Sequence, residues 1–340
     1  MPVSKEYIIK RLALLVLVVF GVLIITFIIT RVIPANPALL WAGPHATQQE
    51  IKKAAEELHL NDPIYVQLYY YFLNFLRGDW GVSWRTRMPV LHDVLTALPA
   101  TLELVITAFI IATVVGIPLG VIAALKRGRW PDHVIRVLTV LGASMPVFWL
   151  ALIAQLIFGT WLHILPATKR VDEILVLETG FHPITGFYLL DALIEHNIPV
   201  FLDVLRHLIL PALVLSLYPM SLCARMTRAL MVEVLNEQFV RAAKAWGLPS
   251  RLVTFKYALK NALAPVIASL GLSFGYTIIG AFMVELIFVW PGIGFYAAMS
   301  LISLDYPAIV GVIVIVAIFY CVINMIVDII HAIIDPRVKL

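Results

Sequence analysis

Long apolar stretches alternate with short polar ones along most of the chain. Each stretch reaches or exceeds the ~20 apolar residues that a helix needs to cross the hydrocarbon core of a bilayer. The pattern therefore predicts an all-α membrane protein with six transmembrane helices. The predicted helices cover residues 12–33, 98–125, 135–161, 209–230, 263–289 and 308–330.

Two of these helices carry residues that affect their expected packing. The third contains Gly142 and Pro146, and such breaks survive in a membrane where neighbouring groups satisfy the freed backbone. The fifth is rich in glycine, which allows close approach of a second helix. Its glycines are Gly271, Gly275 and Gly280. The Trp-Pro-Gly sequence at 290–292 is most simply the terminator of the fifth helix.

The regions between the helices predict folded structure at one membrane face. Residues 34–97 indicate an extracytoplasmic subdomain with helices at 48–60 and 63–76, the second rich in Tyr and Phe. Residues 165–208 indicate an extracytoplasmic loop with a short helix at 187–196. The predicted domains are a tail with the first helix (1–33), the subdomain (34–97) and the remaining transmembrane domain (98–340).

The distribution of charge assigns the two membrane faces. Most of the 25 Lys and Arg residues fall in segments that the helix map places on one side, which favours cytoplasmic N- and C-termini. The 165–208 loop on the other side is acidic, so it could steer a basic protein partner. Its acidic residues are Asp172, Glu173, Glu178, Asp191, Glu195 and Asp203.

The composition excludes a soluble protein. Hydrophobic residues make up 61% of the chain, charged residues 14%, and the mean hydropathy is +0.95. Cys223 and Cys321 both lie in apolar stretches, so they predict neither a disulfide nor a metal site. The sequence has no Gly-x-x-x-x-Gly-Lys-Ser/Thr loop, no His-Glu-x-x-His and no Gly-x-Ser-x-Gly, so it gives no indication of an ATP-hydrolysing or other catalytic centre.

A short basic segment, residues 236–265, follows the fourth helix. It holds five basic residues and one acid, a balance expected on the cytoplasmic side. Within it, residues 239–246 predict a helix that breaks at Gly247 and restarts after 248–250. Gly247 fits the C′ position that closes a helix, and Ser250 fits an N-cap. A merely solvated basic loop is the alternative interpretation.

The spacing within the basic segment resembles the EAA loop of ABC-importer permeases. In that family a Glu-Ala-Ala-x-x-x-Gly core forms a helix-turn-helix that fits a groove on the ATPase. Arg241 stands where the family usually has Glu, and Lys260 stands where many sugar permeases have Pro. The ATPase-coupling residues that the resemblance implies are Phe239, Arg241, Ala242, Ala243, Lys244, Ala245, Trp246, Gly247, Leu248, Pro249, Ser250 and Arg251.

Six further motifs in order make the chain similar to the B-type membrane subunit of oligopeptide and dipeptide ABC importers. That family also has oligosaccharide, nickel and glutathione members. The motifs are Leu-His-Leu-Asn-Asp-Pro at 58–63, Leu-Arg-Gly-Asp-Trp-Gly-Val-Ser at 76–83, Pro-Ala-Thr-Leu-Glu-Leu at 99–104, Ala-Arg-Met-Thr-Arg at 224–228, the stretch from Glu285 to Gly294, and Asp-Pro-Arg at 335–337.

The resemblance implies a set of partners and a mechanism. The partners are a homologous second permease, two ATPase subunits that bind ATP and Mg, an extracytoplasmic substrate-binding protein and the lipid bilayer, with no nucleic acid. The chain itself holds no cofactor, and it is a multi-pass protein of a prokaryotic cell membrane. Alternating access would import di- or oligopeptides, with oligosaccharides, nickel or glutathione as alternatives. No motif marks the translocation path.

Two other functional classes make different demands on the sequence. A secondary carrier needs its own energy coupling, and the chain shows no inverted repeat and no set of midplane carboxylates of the kind that ion-coupled carriers use. An intramembrane enzyme needs a catalytic constellation, and none is visible. The importer permease is therefore the favoured class.

A few charged residues within or beside apolar stretches predict structural roles. Glu103 and Glu285 are expected to cap a helix or to hydrogen-bond between helices. Arg225 and Arg228, one turn apart, are expected to extend to the inner membrane face. The Arg-Gly-Asp sequence at 77–79 is expected to fix the fold of the outer subdomain.

Overall fold

The computed structural model describes residues 5–32, 36–43 and 45–334. The described residues form helices and connecting turns, and their one β feature is an isolated bridge between Val82 and Pro89. The helices are α1 Lys5–Phe27, α2 Pro37–Ala42, α3 Gln48–Glu57, α4 Ile64–Leu76, α5 Val90–Leu125, α6 Trp130–Ser144, α7 Val147–Ala154, α8 Glu173–Thr179, α9 Tyr188–Ile194, α10 Ile198–Val234, α11 Gln238–Ala245, α12 Ser250–Leu252, α13 Lys260–Phe288, α14 Ile293–Ile302 and α15 Tyr306–Ile334. Three π-helical stretches, Ile28–Val32, Gln155–Trp161 and Val253–Leu259, extend or join them.

Between four and six of these helical stretches are suited to crossing a membrane. By length and apolar composition, four described helices qualify alone, and two bent pairs raise the number to six if each pair is one span. The four are Ile9–Val32, Val90–Leu125, Ile198–Val234 and Tyr306–Ile326. The pairs are Trp130–Ser144 with Val147–Trp161, and Ser250–Gly271 with Ser273–Phe288. The prediction of an all-α membrane protein is thus confirmed at the level of four to six spans.

The third predicted helix is not one straight rod. Its two halves meet at an angle of 104°. The break falls at Met145, whose backbone is extended (φ −81°, ψ 135°), directly before Pro146. A residue that precedes proline is pushed out of the helical region by contact with the proline ring. Pro146 therefore divides this stretch.

Two predicted helices begin earlier than their apolar stretches do. α5 begins at Val90 and α10 at Ile198, so both include polar turns before the apolar run. At the start of α10, the Asn197 side chain accepts a hydrogen bond from the Val200 amide at 3.3 Å, which satisfies a free helical donor. The apolar pattern alone gives the membrane-like core of each helix and misses its amphipathic first turns.

By their contacts, the residues form two compact units. One comprises Ala100–Trp290 and the chain from Asn324 onward. In it α10 packs against α13, α6 and α9, and the basic segment joins α10 to α13. The other comprises Lys5–Pro99 and Pro291–Ile323, and there α1 packs against α4.

Helix contact in the first unit depends on two glycines of α5. A Cβ atom on Gly116 would lie 2.9 Å from Cys223 Cβ, and one on Gly120 would lie 2.5 Å from Thr227 Cβ, so only glycine permits this approach of α5 and α10. The fifth predicted helix shows a looser contact, because a Cβ on Gly280 would lie 3.4 Å from Leu215. Small residues spaced four apart commonly allow such helix contacts in membranes.

The second unit contains the helices predicted between residues 48 and 76. α3 begins with a capping box, in which Thr47 and Glu50 exchange hydrogen bonds between side chain and backbone. The bond from the Thr47 amide to Glu50 holds the pKa of that carboxyl below its usual range. Asp305, fully buried, accepts a hydrogen bond from Ser83 Oγ at 2.6 Å and thereby fixes the chain before α15.

Candidate functional site

The bend of the basic segment is a glycine-closed helix end. α11 ends at Ala245, Trp246 is its C-cap, and Gly247 follows with a φ of +76°. The Gly247 amide donates to Lys244 O at 3.0 Å, and the Leu248 amide donates to Ala243 O at 3.3 Å. These two bonds define a Schellman motif, with glycine at C′ because side chains disfavour left-handed backbone. The predicted helix and the C′ position of Gly247 are confirmed.

A small apolar cluster holds the two arms of this bend together. Val240 and Ala243 from α11 pack with Val253 from the start of the next helical stretch, and all three are buried. Half-buried neighbours complete the cluster: Val234, Leu235 and Leu248. The cluster therefore packs the two arms of the bend against each other and against the end of α10.

The opposite face of the bend is open. Trp246 is 82% exposed and Phe239 is 43% exposed, an unusual degree of exposure for large aromatic side chains. The side chains of Arg241, Lys244 and Arg251 are exposed as well. Exposed aromatic and basic side chains on one bend are suited to docking against an acidic, grooved surface.

The structure corrects one detail of the predicted segment and shows how its alanines are placed. Ser250 is the first residue of α12, and the N-cap is Pro249 without a side-chain hydrogen bond, so the N-cap prediction is wrong. Proline fixes its own φ but has no side-chain acceptor, so this helix begins without a side-chain cap. Ala243 is 4% exposed, so its small side chain serves the apolar cluster, whereas Ala242 and Ala245 lie on the open surface.

A charged pair ties α6 to α10 beside the basic segment. Arg228 donates from Nε to Asp132 Oδ1 at 2.6 Å and from Nη2 to Oδ2 at 2.8 Å, a two-pronged contact. Asp132 is 1% exposed and also accepts from the Gly128 amide at 3.0 Å. Arg228 therefore joins two helices through an ion pair that the sequence did not predict.

A second charged pair, fully buried, lies at the other end of α10 and α13. Arg170 donates to Glu103 Oε2 from Nε at 3.1 Å and from Nη2 at 2.6 Å, and both side chains are 5% exposed. The Leu189 amide donates to Glu103 Oε1 at 2.9 Å. The structural role predicted for Glu103 is confirmed: it binds the 165–208 loop to α5.

Aromatic rings enclose this pair. The Arg170 guanidinium lies 3.8 Å from the centre of the Tyr188 ring and 5.5 Å from that of Trp290. Trp290 is fully buried, and its Nε1 donates to Ala100 O at 2.9 Å. We name Glu103, Arg170, Tyr188 and Trp290 the buried ion-pair cluster. Trp290 does more than end a helix, since it packs in the core and fixes the chain after α13.

The acidic loop is less available for partners than its composition suggests. Asp191 is fully buried and accepts hydrogen bonds from Thr185 Oγ1 at 2.6 Å and from the Gly186 amide at 2.9 Å. It shapes a turn and cannot steer a partner, which corrects that part of the expectation. Glu178 is exposed, and Glu173 is exposed beside Lys169, 2.7 Å away.

The described residues contain no group of three or more His, Cys, Asp or Glu side chains that could hold a metal ion. Cys223 is buried, against α5, and Cys321 is half-buried; both are free thiols. The Asp-Pro-Arg motif at 335–337 lies outside the described residues. In the unit that contains residues 100–290, the features of functional interest are the open basic segment and the two charged pairs.

Comparison with known families decides the class. Residues 116–340 match the model of the binding-protein-dependent transport system inner membrane component, and residues 5–105 match the model of its N-terminal region. The chain belongs to this family. It is therefore a permease subunit of a binding-protein-dependent transport system and a multi-pass protein of the inner membrane. The resemblance inferred from the motifs is confirmed.

Curated relatives match over almost the whole length of this permease. A probable D,D-dipeptide transport system permease protein of Escherichia coli K12 is 44% identical over 95% of the chain and 94% of the relative. A di/tripeptide transport system permease protein of Pseudomonas aeruginosa is 41% identical over 98% of each. A glutathione transport system permease protein of Escherichia coli O1:K1 is 34% identical over 98% of the chain and 99% of the relative.

Proposed function

We propose that this permease imports di- or oligopeptides as part of an ATP-driven complex. The observation that carries the proposal is the bend of the basic segment, which a Schellman motif and a small apolar cluster hold in place and which leaves Trp246 and basic side chains exposed. The relatives with higher identity are named for dipeptide transport, and this supports peptides as the substrate class. The chain would act with a second permease, two ATPase subunits and a substrate-binding protein.

In this mechanism the basic segment transmits motion. ATP-driven closure of the ATPases would move the docked bend as a rigid body, and α10 and α13, which it joins, would reorient the translocation path. The chain needs no cofactor for this step, because ATP and Mg are bound by the ATPases. The twelve residues inferred from the resemblance, from Phe239 to Arg251, form the proposed coupling site.

The proposed topology places the basic segment and both termini in the cytoplasm. Residues 1–33 would form the tail and first span, residues 34–97 an extracytoplasmic subdomain, and residues 98–340 the transmembrane permease domain. The 165–208 loop would then face outward, where the binding protein docks. A reporter fused at the C-terminus should be cytoplasmic, and a tag beside Glu178 should be accessible from outside. An externally labelled C-terminus would overturn this map.

Uptake of a radiolabelled dipeptide by cells with and without the chain tests the proposed activity. We expect uptake to require the chain, to stop on ATP depletion, and to persist when an ionophore collapses the ion gradients. Loss of uptake with the ionophore alone would indicate a secondary carrier. Competition by unlabelled tripeptide, glutathione, oligosaccharide or nickel identifies the substrate class, and the 34% identical glutathione relative makes glutathione the second candidate.

A further inference from the structure

The second unit contains a cavity that the transport mechanism does not use. Its volume is about 230 Å³, which is below the ~300 Å³ at which pockets begin to hold drug-sized ligands. It lies between the end of the first predicted span, represented by Arg31, and the helices α2 and α4. Its volume gives the cavity room for a small metabolite or for a single headgroup.

The walls of the cavity are largely aromatic and held in place. Phe75 and Trp80 stack with ring centres 4.8 Å apart, and Trp80 Nε1 donates to Phe75 O at 3.2 Å. Tyr70 stacks on His59 at 3.9 Å. Trp41 forms a further wall. Such fixed walls are typical of sites that are formed before the ligand arrives.

One charged group in this cavity has unmet hydrogen-bonding capacity. Arg31 Nη1 is buried, and among the described residues it has no hydrogen-bond partner. The guanidinium lies 5.2 Å from the centre of the Trp41 ring, a contact that orients it without neutralising it. A buried charge without a partner is costly, so proteins usually pair such groups or use them to bind a ligand.

The neighbouring phenol does not supply the missing anion. Tyr71 shares a hydrogen bond with Thr26 Oγ1 at 2.9 Å, and burial raises the pKa of Tyr71. The phenol therefore stays protonated and uncharged at neutral pH. The carboxylates that line the cavity, Glu57 and Asp79, belong to exposed residues, and Glu57 lies 3.9 Å from Lys53. Neither forms an ion pair with Arg31 in the described structure.

Part of the Arg-Gly-Asp-Trp-Gly motif, residues 79–81, builds a wall of this cavity, whereas Arg77 does not line it. Asp79, Trp80 and Gly81 all line it. A Cβ on Gly81 would lie 2.6 Å from the Trp41 ring, so the glycine allows Trp41 to reach its position over Arg31. The motif therefore does more than fix the local fold. It also shapes the wall next to Arg31, whose Nη1 has no hydrogen-bond partner among the described residues.

We infer that this cavity binds a small molecule whose carboxylate or phosphate oxygens pair with Arg31. The planar guanidinium presents two parallel N–H donors to such an oxyanion, and the aromatic walls would hold an apolar body. The exposed carboxylates of Glu57 and Asp79 favour a zwitterion, with its ammonium near the mouth. A free dipeptide and the headgroup of phosphatidylethanolamine share this chemistry. The inference concerns a site apart from the proposed translocation and coupling functions.

Equilibrium dialysis of radiolabelled glycyl-phenylalanine against the purified full-length protein tests the peptide source. The protein is held in nanodiscs without ATP, so the result does not depend on transport. We expect binding by the wild type and at least tenfold weaker binding by Arg31→Gln, with an intermediate loss in Arg31→Lys, which keeps the charge and loses the planar fork. Arg77→Gln, at an exposed arginine of the same unit, is the matched control and should bind normally.

The same dialysis with the dipeptide amide tests the carboxylate without any variant. The amide should bind the wild type at least tenfold more weakly, and this comparison remains decisive if Arg31→Gln does not fold. If the dipeptide does not bind, mass spectrometry of phospholipid retained after transfer to detergent tests the second source. Phosphatidylethanolamine kept by the wild type and Arg77→Gln but lost by Arg31→Gln or Arg31→Lys would assign the site to the headgroup. Binding of neither molecule, or equal binding by the wild type and Arg31 variants, would overturn the inference.

Discussion

The two ends of the α10–α13 helix pair differ in their charged side chains, which are buried and paired at one end and exposed at the other. At one end, the buried ion-pair cluster encloses its charges, and Glu103 and Arg170 satisfy each other within the unit. At the other end, the basic segment keeps its small apolar cluster inside and leaves Trp246 and its basic side chains exposed. The first end is complete by itself. The second end presents a surface that is suited to contact with another subunit.

The largest loss of stability should follow from opening the buried end. Arg170→Leu would leave Glu103, 5% exposed, as a buried charge without its partner. Removal of one member of a buried pair typically costs about 3–5 kcal/mol in the free energy of unfolding. Thermal unfolding of the purified protein, followed by the accessibility of Cys223, should show a strong downward shift in Tm.

The double variant Glu103→Leu with Arg170→Leu separates charge from packing. Since replacing a buried pair by apolar groups is often close to neutral, the double variant should recover much of the loss. A single Arg170→Leu variant as stable as the wild type would show that the ion pair does not stabilise the buried end.

A smaller loss is expected at the Asp132–Arg228 pair. Asp132→Asn removes the charge that two Arg228 donors bind, and hydrogen bonds to charged groups contribute about 1.5–3 kcal/mol each. Because Arg228 is 24% exposed, it can turn toward water, so the net loss should fall at or below the lower end of that range. The Tm of Asp132→Asn should lie between those of Arg170→Leu and the wild type. A loss as large as that of Arg170→Leu would contradict the contrast between the two pairs.

Backbone strain at the bend should abolish transport but have little effect on the stability of the protein. Gly247→Val forces a branched side chain into left-handed backbone, at about 1–2 kcal/mol, but meets no atom within 4 Å. We expect normal membrane insertion and loss of dipeptide uptake. Gly128→Val is the matched control, since Gly128 has a φ of +75° and equally open surroundings. Equal uptake by the two variants would show that the bend has no special role.

Local features of the basic segment could be predicted from sequence because they depend on neighbours in the chain. Gly247 lies three residues after Lys244 and four after Ala243, whose carbonyl oxygens accept hydrogen bonds from the amides of Gly247 and Leu248. Its position therefore marks the helix end directly. Ser250 fits the same local rules, but Pro249 takes the N-cap position instead. The break at Pro146 was visible, whereas its 104° angle depends on the packing of both halves.

The paired charges could not be predicted, because their partners are far apart in sequence. Arg170 and Glu103 are separated by 67 residues, and Arg228 and Asp132 by 96. Each residue alone looks like a charge in a loop or at a helix end. Only the approach of α5, α6 and α10, set by contacts such as that of Gly120 with Thr227, brings the partners together.

The central claim is that the exposed face of the basic segment docks onto an ATPase. The most direct measurement compares Trp246→Ala with Trp130→Ala, because Trp130 is 76% exposed and is the first residue of α6, directly after the basic stretch 126–129. Neither change touches a packed core, so both proteins should insert and unfold like the wild type. We predict that Trp246→Ala alone loses co-purifying ATPase subunits and substrate-stimulated ATP hydrolysis, since a central aromatic anchor of an interface is typically worth 2 kcal/mol or more. Normal ATPase association and stimulation in Trp246→Ala would contradict the account.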